Sequence, residues 1–148
     1  MALKDRIQDD MKTALRAKDK QRLGAIRLMV AAVKQREIDE RIDLNDAQTL
    51  VVLEKMLKQR RESLAQYQSA GREDLAAQEA FEIALIQEYL PTPLDPSALD
   101  ALIAQAITAS GAQSMRDMGK VMALVKEQAQ GRADLAAVSA RIKSQLGA

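Results

Sequence analysis

The sequence predicts an all-α protein: an N-terminal domain of long helices over 1–90, then a small three-helix C-terminal domain over 94–148. Three observations lead there. Alternation of polar and apolar residues, the mark of a half-buried strand, is almost absent. Only Tyr67, Phe81 and Tyr89 are aromatic, so the core must be aliphatic and rich in Ala, Leu and Met, which favours helices over sandwiches or barrels. Apolar residues instead recur at intervals of three and four through seven segments.

Leu3, Ile7, Met11, Ala14 and Leu15 define the first segment. "KDK" at 18–20 interrupts it, and Asp19 is a good N-cap for the second, which presents Leu23, Ile26, Val30 and Val33 on one face. "REIDERIDLND" (36–46) reads as a polar turn region, with Asn45 or Asp46 as the next cap. The third segment, about 46–70, is the longest, about 37 Å at 1.5 Å per residue. Its seam of Leu50, Leu53, Leu57, Leu64 and Tyr67 is broken by Arg60, and a seam of that length needs other helices along it. Gly71 suits the C′ position that ends it. A fourth helix, about 72–88, carries Glu73 and Asp74 at its positive end.

"YLPTPLDP" (89–96) holds three prolines in six residues, which forbids continuous helix and marks the domain boundary. Pro96 or Ser97 opens a fifth helix with Leu99, Leu102, Ile103, Ala106 and Ile107 on its apolar side. "SGAQS" (110–114) is a turn. Ser114 and Asp117 match a capping box, so the sixth helix is expected to begin near Met115. Gly131 separates it from a seventh, with Asp134 as N-cap and Leu135, Val138, Ile142 and Leu146 on its apolar face.

Composition removes whole classes of chemistry. The 148 residues are 47% apolar, enough for a core, but include no histidine and no cysteine. Ser-His and Cys-His nucleophiles, thiolate chemistry and ordinary zinc sites are excluded, and no cofactor or metal is expected. The N-terminus has acids where a signal peptide needs an apolar run, and no segment approaches membrane-spanning length. A cytoplasmic, membrane-free protein is the expectation. The net charge is only +1, but residues 1–36 hold ten Lys/Arg against four Asp/Glu, and residues 37–88 hold six against twelve. Basic helices packed beside acidic ones would explain this, as would a basic face for an anionic partner.

Two places invite a charged ligand. Gly119 sits inside a helix at a cost of roughly 1 kcal/mol relative to alanine, which points to close approach of another helix or a ligand phosphate. Lys120 follows at the positive helix end, where an anion would relieve its penalty. Capping explains Gly131 and Asp134 and leaves Arg132 as an exposed loop cation. Lys58, Arg60 and Arg61 cluster on the third helix, as surface solvation paired with Glu62 or as a phosphate-binding ridge. Glu79 and Glu82, at i and i+3, are either ion-pair partners for the basic helices or a weak cation or acid/base pair. No catalytic residue is assigned.

Two blocks, "KQRRESLAQYQSAGREDLAAQEAFEIALIQEYLP" (58–91) and "MGKVMALVKEQAQGRADLAAV" (118–138), with "LGAIRLMVAAVKQREID" (23–39), closely resemble the YqeY family of small bacterial proteins, over essentially the whole chain. The C-terminal part of that family is similar to the tail of the B subunit of glutamine-dependent tRNA amidotransferase, a tail associated with tRNA engagement. The motif positions fall on Gly119, Lys120, Gly131, Arg132, Ala133 and Asp134; many relatives have glycine where this chain has Leu135. The resemblance implies an accessory module that binds tRNA or a tRNA–amidotransferase-type complex, with a protein–protein adaptor in translation as the alternative. It supplies no catalytic site, so a carbon–nitrogen ligase label with glutamine as amide donor would be inherited through the shared tail.

Overall fold

The computed structural model describes residues 1–147. They form seven α-helices: α1 (Leu3–Arg16), α2 (Lys20–Glu40), α3 (Asp46–Ser69), α4 (Glu73–Gln87), α5 (Pro96–Ser110), α6 (Met118–Ala129) and α7 (Leu135–Gly147), with a short 3-10 turn, Met115–Asp117, before α6. No strand occurs among the described residues, so the chain is all-α. The fold divides into two compact units, Met1–Leu90 and Pro91–Ala148.

In the first unit α1 packs on α2, and α3 and α4 form the most extensive pair. Ile7, Ile26, Met29, Leu53 and Ile86 are buried almost completely at its centre. Full burial of each such side chain contributes about 1.5–3 kcal/mol. The connections are fixed locally. Asn45 and Gln48 form a reciprocal capping box at the start of α3. At its end Gly71, with φ +71°, donates to Gln68 O, and Arg72 N donates to Tyr67 O, the two hydrogen bonds of a Schellman closure. The α1–α2 link has the same pattern: Lys18 N reaches Leu15 O and Asp19 N reaches Ala14 O. Here a lysine, not a glycine, holds the left-handed conformation at φ +58°.

The turn expected over 36–46 is shorter than its polarity suggests. Helix α2 continues to Glu40, because polar residues there bond along the helix: Arg36 pairs with Glu40, and Gln35 Nε2 donates to Asp39 at 2.8 Å. Glu37 then accepts from Leu44 N and from Lys4 Nζ, tying the chain after α2 to α1. Several charges of the basic N-terminal stretch are satisfied this way. Lys4 pairs with Glu37 and Asp43, and Arg22 with Glu88 at 3.0 Å. Tyr89 plugs the end of the unit: its ring is buried beneath the Arg6 guanidinium, 4.7 Å from the ring centroid, and its hydroxyl donates to Asp10. Burial, with help from the Asp10 hydrogen bond, pushes the Tyr89 hydroxyl well above its ordinary pKa.

The second unit has its own core of Leu99, Ile103, Val121, Val125, Val138 and Ile142. Asp95 caps α5 through Ala98 N at 2.7 Å, with Pro96 at the first helical position. The start of α6 departs from the simple capping box. Ser114 Oγ accepts from Arg116 N at 3.3 Å, and the Asp117 carboxylate reaches back to Gln113 N, not Ser114 N. The tighter 3-10 turn brings the Arg116 amide, one residue earlier than in a capping box, to Ser114, and the α-helix proper begins at Met118. Asp134 accepts from Ala136 N and caps α7 as its spacing suggested.

Candidate nucleic-acid interface

Gly119 lies in the first turn of α6 and is exposed. A Cβ built on it meets nothing within 4 Å. The packing helix that would have explained this glycine is therefore absent from the unit, and its backbone is open to the outside. Lys120 beside it has a side chain 72% exposed; its sole ion pair among the described residues is with Asp117 at 4.0 Å. A contact that long and that exposed is worth at most about 1 kcal/mol and leaves the ammonium available.

Arg132 is not the exposed loop cation that capping logic left over. It is half-buried, and its Nε–H donates to Thr92 O at 2.9 Å, while its own carbonyl accepts from Leu94 N at 2.8 Å. The proline segment explains the need. Pro91 and Pro93 have no N–H, so little of that stretch can pair with itself, and Thr92 O takes its donor from Arg132. The sequence signal was split in two, a proline stretch poor in amide donors and, forty residues on, an arginine that capping left unexplained. Gly131 makes the geometry reachable. Gln130 at φ −59°, ψ 126° and Gly131 at φ +76° form a type II turn, closed by Arg132 N on Ala129 O at 2.9 Å. Arg132 forms no ion pair among the described residues, so its charge is anchored but not neutralised.

The three cations on α3 part company. Lys58 and Arg61 are exposed and form no ion pair among the described residues. Arg60 does not belong to a phosphate-binding ridge: its side chain is 24% exposed and turns into the α3–α4 interface. Its Nε lies 2.8 Å from Glu82 Oε2 and 3.8 Å from Glu79 Oε2, with the N–H aligned on neither, so attraction rather than a directed hydrogen bond holds the group. Gln78 donates to the other Glu82 oxygen. The break in the apolar seam of α3 is thus a buried charge cluster, and Glu79 and Glu82 are ion-pair partners. Burial raises the Glu79 pKa, Arg60 pulls it back, and Glu82 adds to the rise. Among the described residues no group of three or more acidic side chains is placed to hold a metal ion, and no helix is long and apolar enough to cross a membrane.

A family model described as Yqey-like protein matches residues 4–146. Curated relatives share one description, "Altered inheritance of mitochondria protein 41, mitochondrial". That of Pyrenophora tritici-repentis is 30% identical over 147 residues, 97% of this chain and 80% of the relative. That of Vanderwaltozyma polyspora is 39% identical over 85 residues, 57% of this chain and 46% of the relative. That of Kluyveromyces lactis is 34% identical over 106 residues, 69% and 57% respectively. The chain thus spans about half the length of the last two.

Proposed function

The chain belongs to the YqeY-like family, and on that premise we propose that it is a non-catalytic binding module of translation, whose second unit engages tRNA or a tRNA–amidotransferase-type complex. The observation that carries this reading is the open backbone of Gly119 beside the weakly paired Lys120, at the N-terminal end of α6. The positive end of a helix, with open space over Gly119 and a weakly paired ammonium beside it, suits a phosphate. Arg132, anchored to Thr92 but without a carboxylate partner, adds positive charge to the same unit, and Lys58 and Arg61 offer charge on the first. The only paired carboxylates that suggested acid/base chemistry are occupied by Arg60, which favours binding over catalysis. The cytoplasm is the compartment we propose, in keeping with a chain free of cysteine.

The test is a tRNA gel shift at about 50 and 200 mM salt, where binding through phosphates loses affinity steeply. Lys120→Ala weakens the shift. Gly119→Ala raises thermal stability by roughly 0.5–1 kcal/mol, because nothing blocks the new methyl, and lowers affinity by filling the space a phosphate would use. Binding that is absent at both salts, indifferent to salt, or unchanged in both variants rejects the proposal.

A further inference from the structure

Gly24, Leu28, Ala31, Gln35 and Ile38 follow one another on α2 at alternating steps of four and three, and Ile42 lies just beyond the helix. In a coiled coil that line is the buried seam. Here it faces outward. Leu28, Ile38 and Ile42 are 44%, 70% and 39% exposed, Gly24, Ala31 and Gln35 are exposed as well, and a Cβ on Gly24 meets nothing. Beside it runs a second row, Lys20, Arg27 and Lys34, one cation every seven residues or about 10.5 Å, with Arg41 just past the end of the helix as its left-handed C-cap. All four are exposed, and none makes an ion pair among the described residues. The other cations of α2, Arg22 and Arg36, are matched within the unit by Glu88 and Glu40.

We propose that this outer face of α2 docks an acidic amphipathic helix of a partner protein. The partner's apolar side chains would lie over Leu28, Ala31 and Ile38, and its carboxylates against Lys20, Arg27 and Lys34. Charge complementarity and register select this occupant. A heptad-spaced cation row beside an apolar line matches a facing helix with acids at the same interval, and small residues at 24 and 31 let it approach closely. Nucleic acid fits less well: phosphates would neutralise the row but leave Leu28 and Ile38 without apolar contact, and no aromatic side chain stands on this face to stack a base. A second copy laid antiparallel would set the cation row against itself. The surface belongs to the first unit and is separate from the tRNA reading of the second.

Two synthetic helical peptides test this on the full chain. Both carry leucine at the seam positions; one has glutamate and the other lysine at the flanking positions. Fluorescence anisotropy at low salt is expected to show the glutamate peptide binding at least about tenfold more tightly than the lysine peptide. Arg27→Glu with Lys34→Glu abolishes that preference, Ile38→Asp weakens binding about tenfold or more, and Lys120→Ala changes neither. These positions are exposed, and circular dichroism confirms that each variant keeps its helices. Equal or absent binding of the two peptides, or binding that survives the double reversal, overturns the proposal. So does sedimentation showing a dimer that Ile38→Asp dissolves, or tRNA binding that the double reversal removes.

Discussion

Replacing Arg60 by methionine isolates the charge cluster of the α3–α4 interface. Methionine keeps the methylene stem that spans the seam, so packing changes little, but Glu79 and Glu82 are left facing each other without a countercharge. Their side chains are 13% and 11% exposed. Breaking a fully buried pair costs about 3–5 kcal/mol. Arg60 itself keeps 24% exposure, which screens the interaction, so a penalty of about 2 kcal/mol is expected. For a unit of this size the urea slope is about 1–1.5 kcal/mol/M, so the midpoint should fall by about 1.5 M at pH 7. The penalty has a pH signature. Glu79 already holds its proton more tightly than an exposed glutamate, and losing Arg60 removes the influence that opposed this. At pH 5 the variant therefore takes up a proton and recovers part of the loss. The triple variant Arg60→Met, Glu79→Gln, Glu82→Met should recover most of it. Urea unfolding followed by far-ultraviolet circular dichroism at the two pH values provides the measurement. An unchanged midpoint at pH 7, or an identical loss at pH 5, refutes the idea that attraction to Arg60 holds these carboxylates in place.

Glu79→Gln alone should stabilise the protein at pH 7. The folded pKa of Glu79 is raised above its unfolded value of 4.5, so its favourable contribution is present below pH 4.5 and is lost as pH rises through the folded value. The variant's advantage should accordingly vanish toward pH 4 in a thermal-melt series. Lys18→Gly should raise stability by roughly 1 kcal/mol, since a non-glycine residue at φ +58° carries a left-handed strain of about 1–2 kcal/mol, partly offset by glycine's unfolded entropy. Urea melts read it, and a loss of stability would count against the Schellman assignment. Tyr89→Phe should cost about 1 kcal/mol, the hydroxyl's bond to Asp10, while the ring and its contact with Arg6 survive. A cost above about 3 kcal/mol would mean the aromatic packing itself had been disturbed.

Much of the helical plan was legible because it rests on local chemistry. Asp19, Asn45 and Asp134 each cap the helix that follows, and Gly71 closes α3 by bonds that span three and five residues. The misreadings arose where distant partners decide. The 36–46 stretch looked like a turn because it is polar, yet its polarity is spent on i,i+4 pairs and on Lys4, thirty-three residues from Glu37. Arg60 looked like one of three surface cations because nothing local says that Glu79 and Glu82 stand opposite it. Gly119 suggested a close neighbour, but only the fold could say that no helix of its own unit takes up the space. For Arg132 the local rules accounted for its neighbours on both sides, and its own reason lay forty residues upstream at Thr92.

That clasp between Arg132 and the proline strap bears on how the C-terminal unit can be excised. A fragment begun at residue 94, where the sequence-based domain division places the cut, loses Thr92 and with it the acceptor of the guanidinium. One begun at Pro91 retains both halves of the knot, including the Leu94 amide on the Arg132 carbonyl. Truncations and arginine substitutions therefore act on the same tether, and a phenotype from either should be weighed first as an untied strap before it is credited to a lost cation.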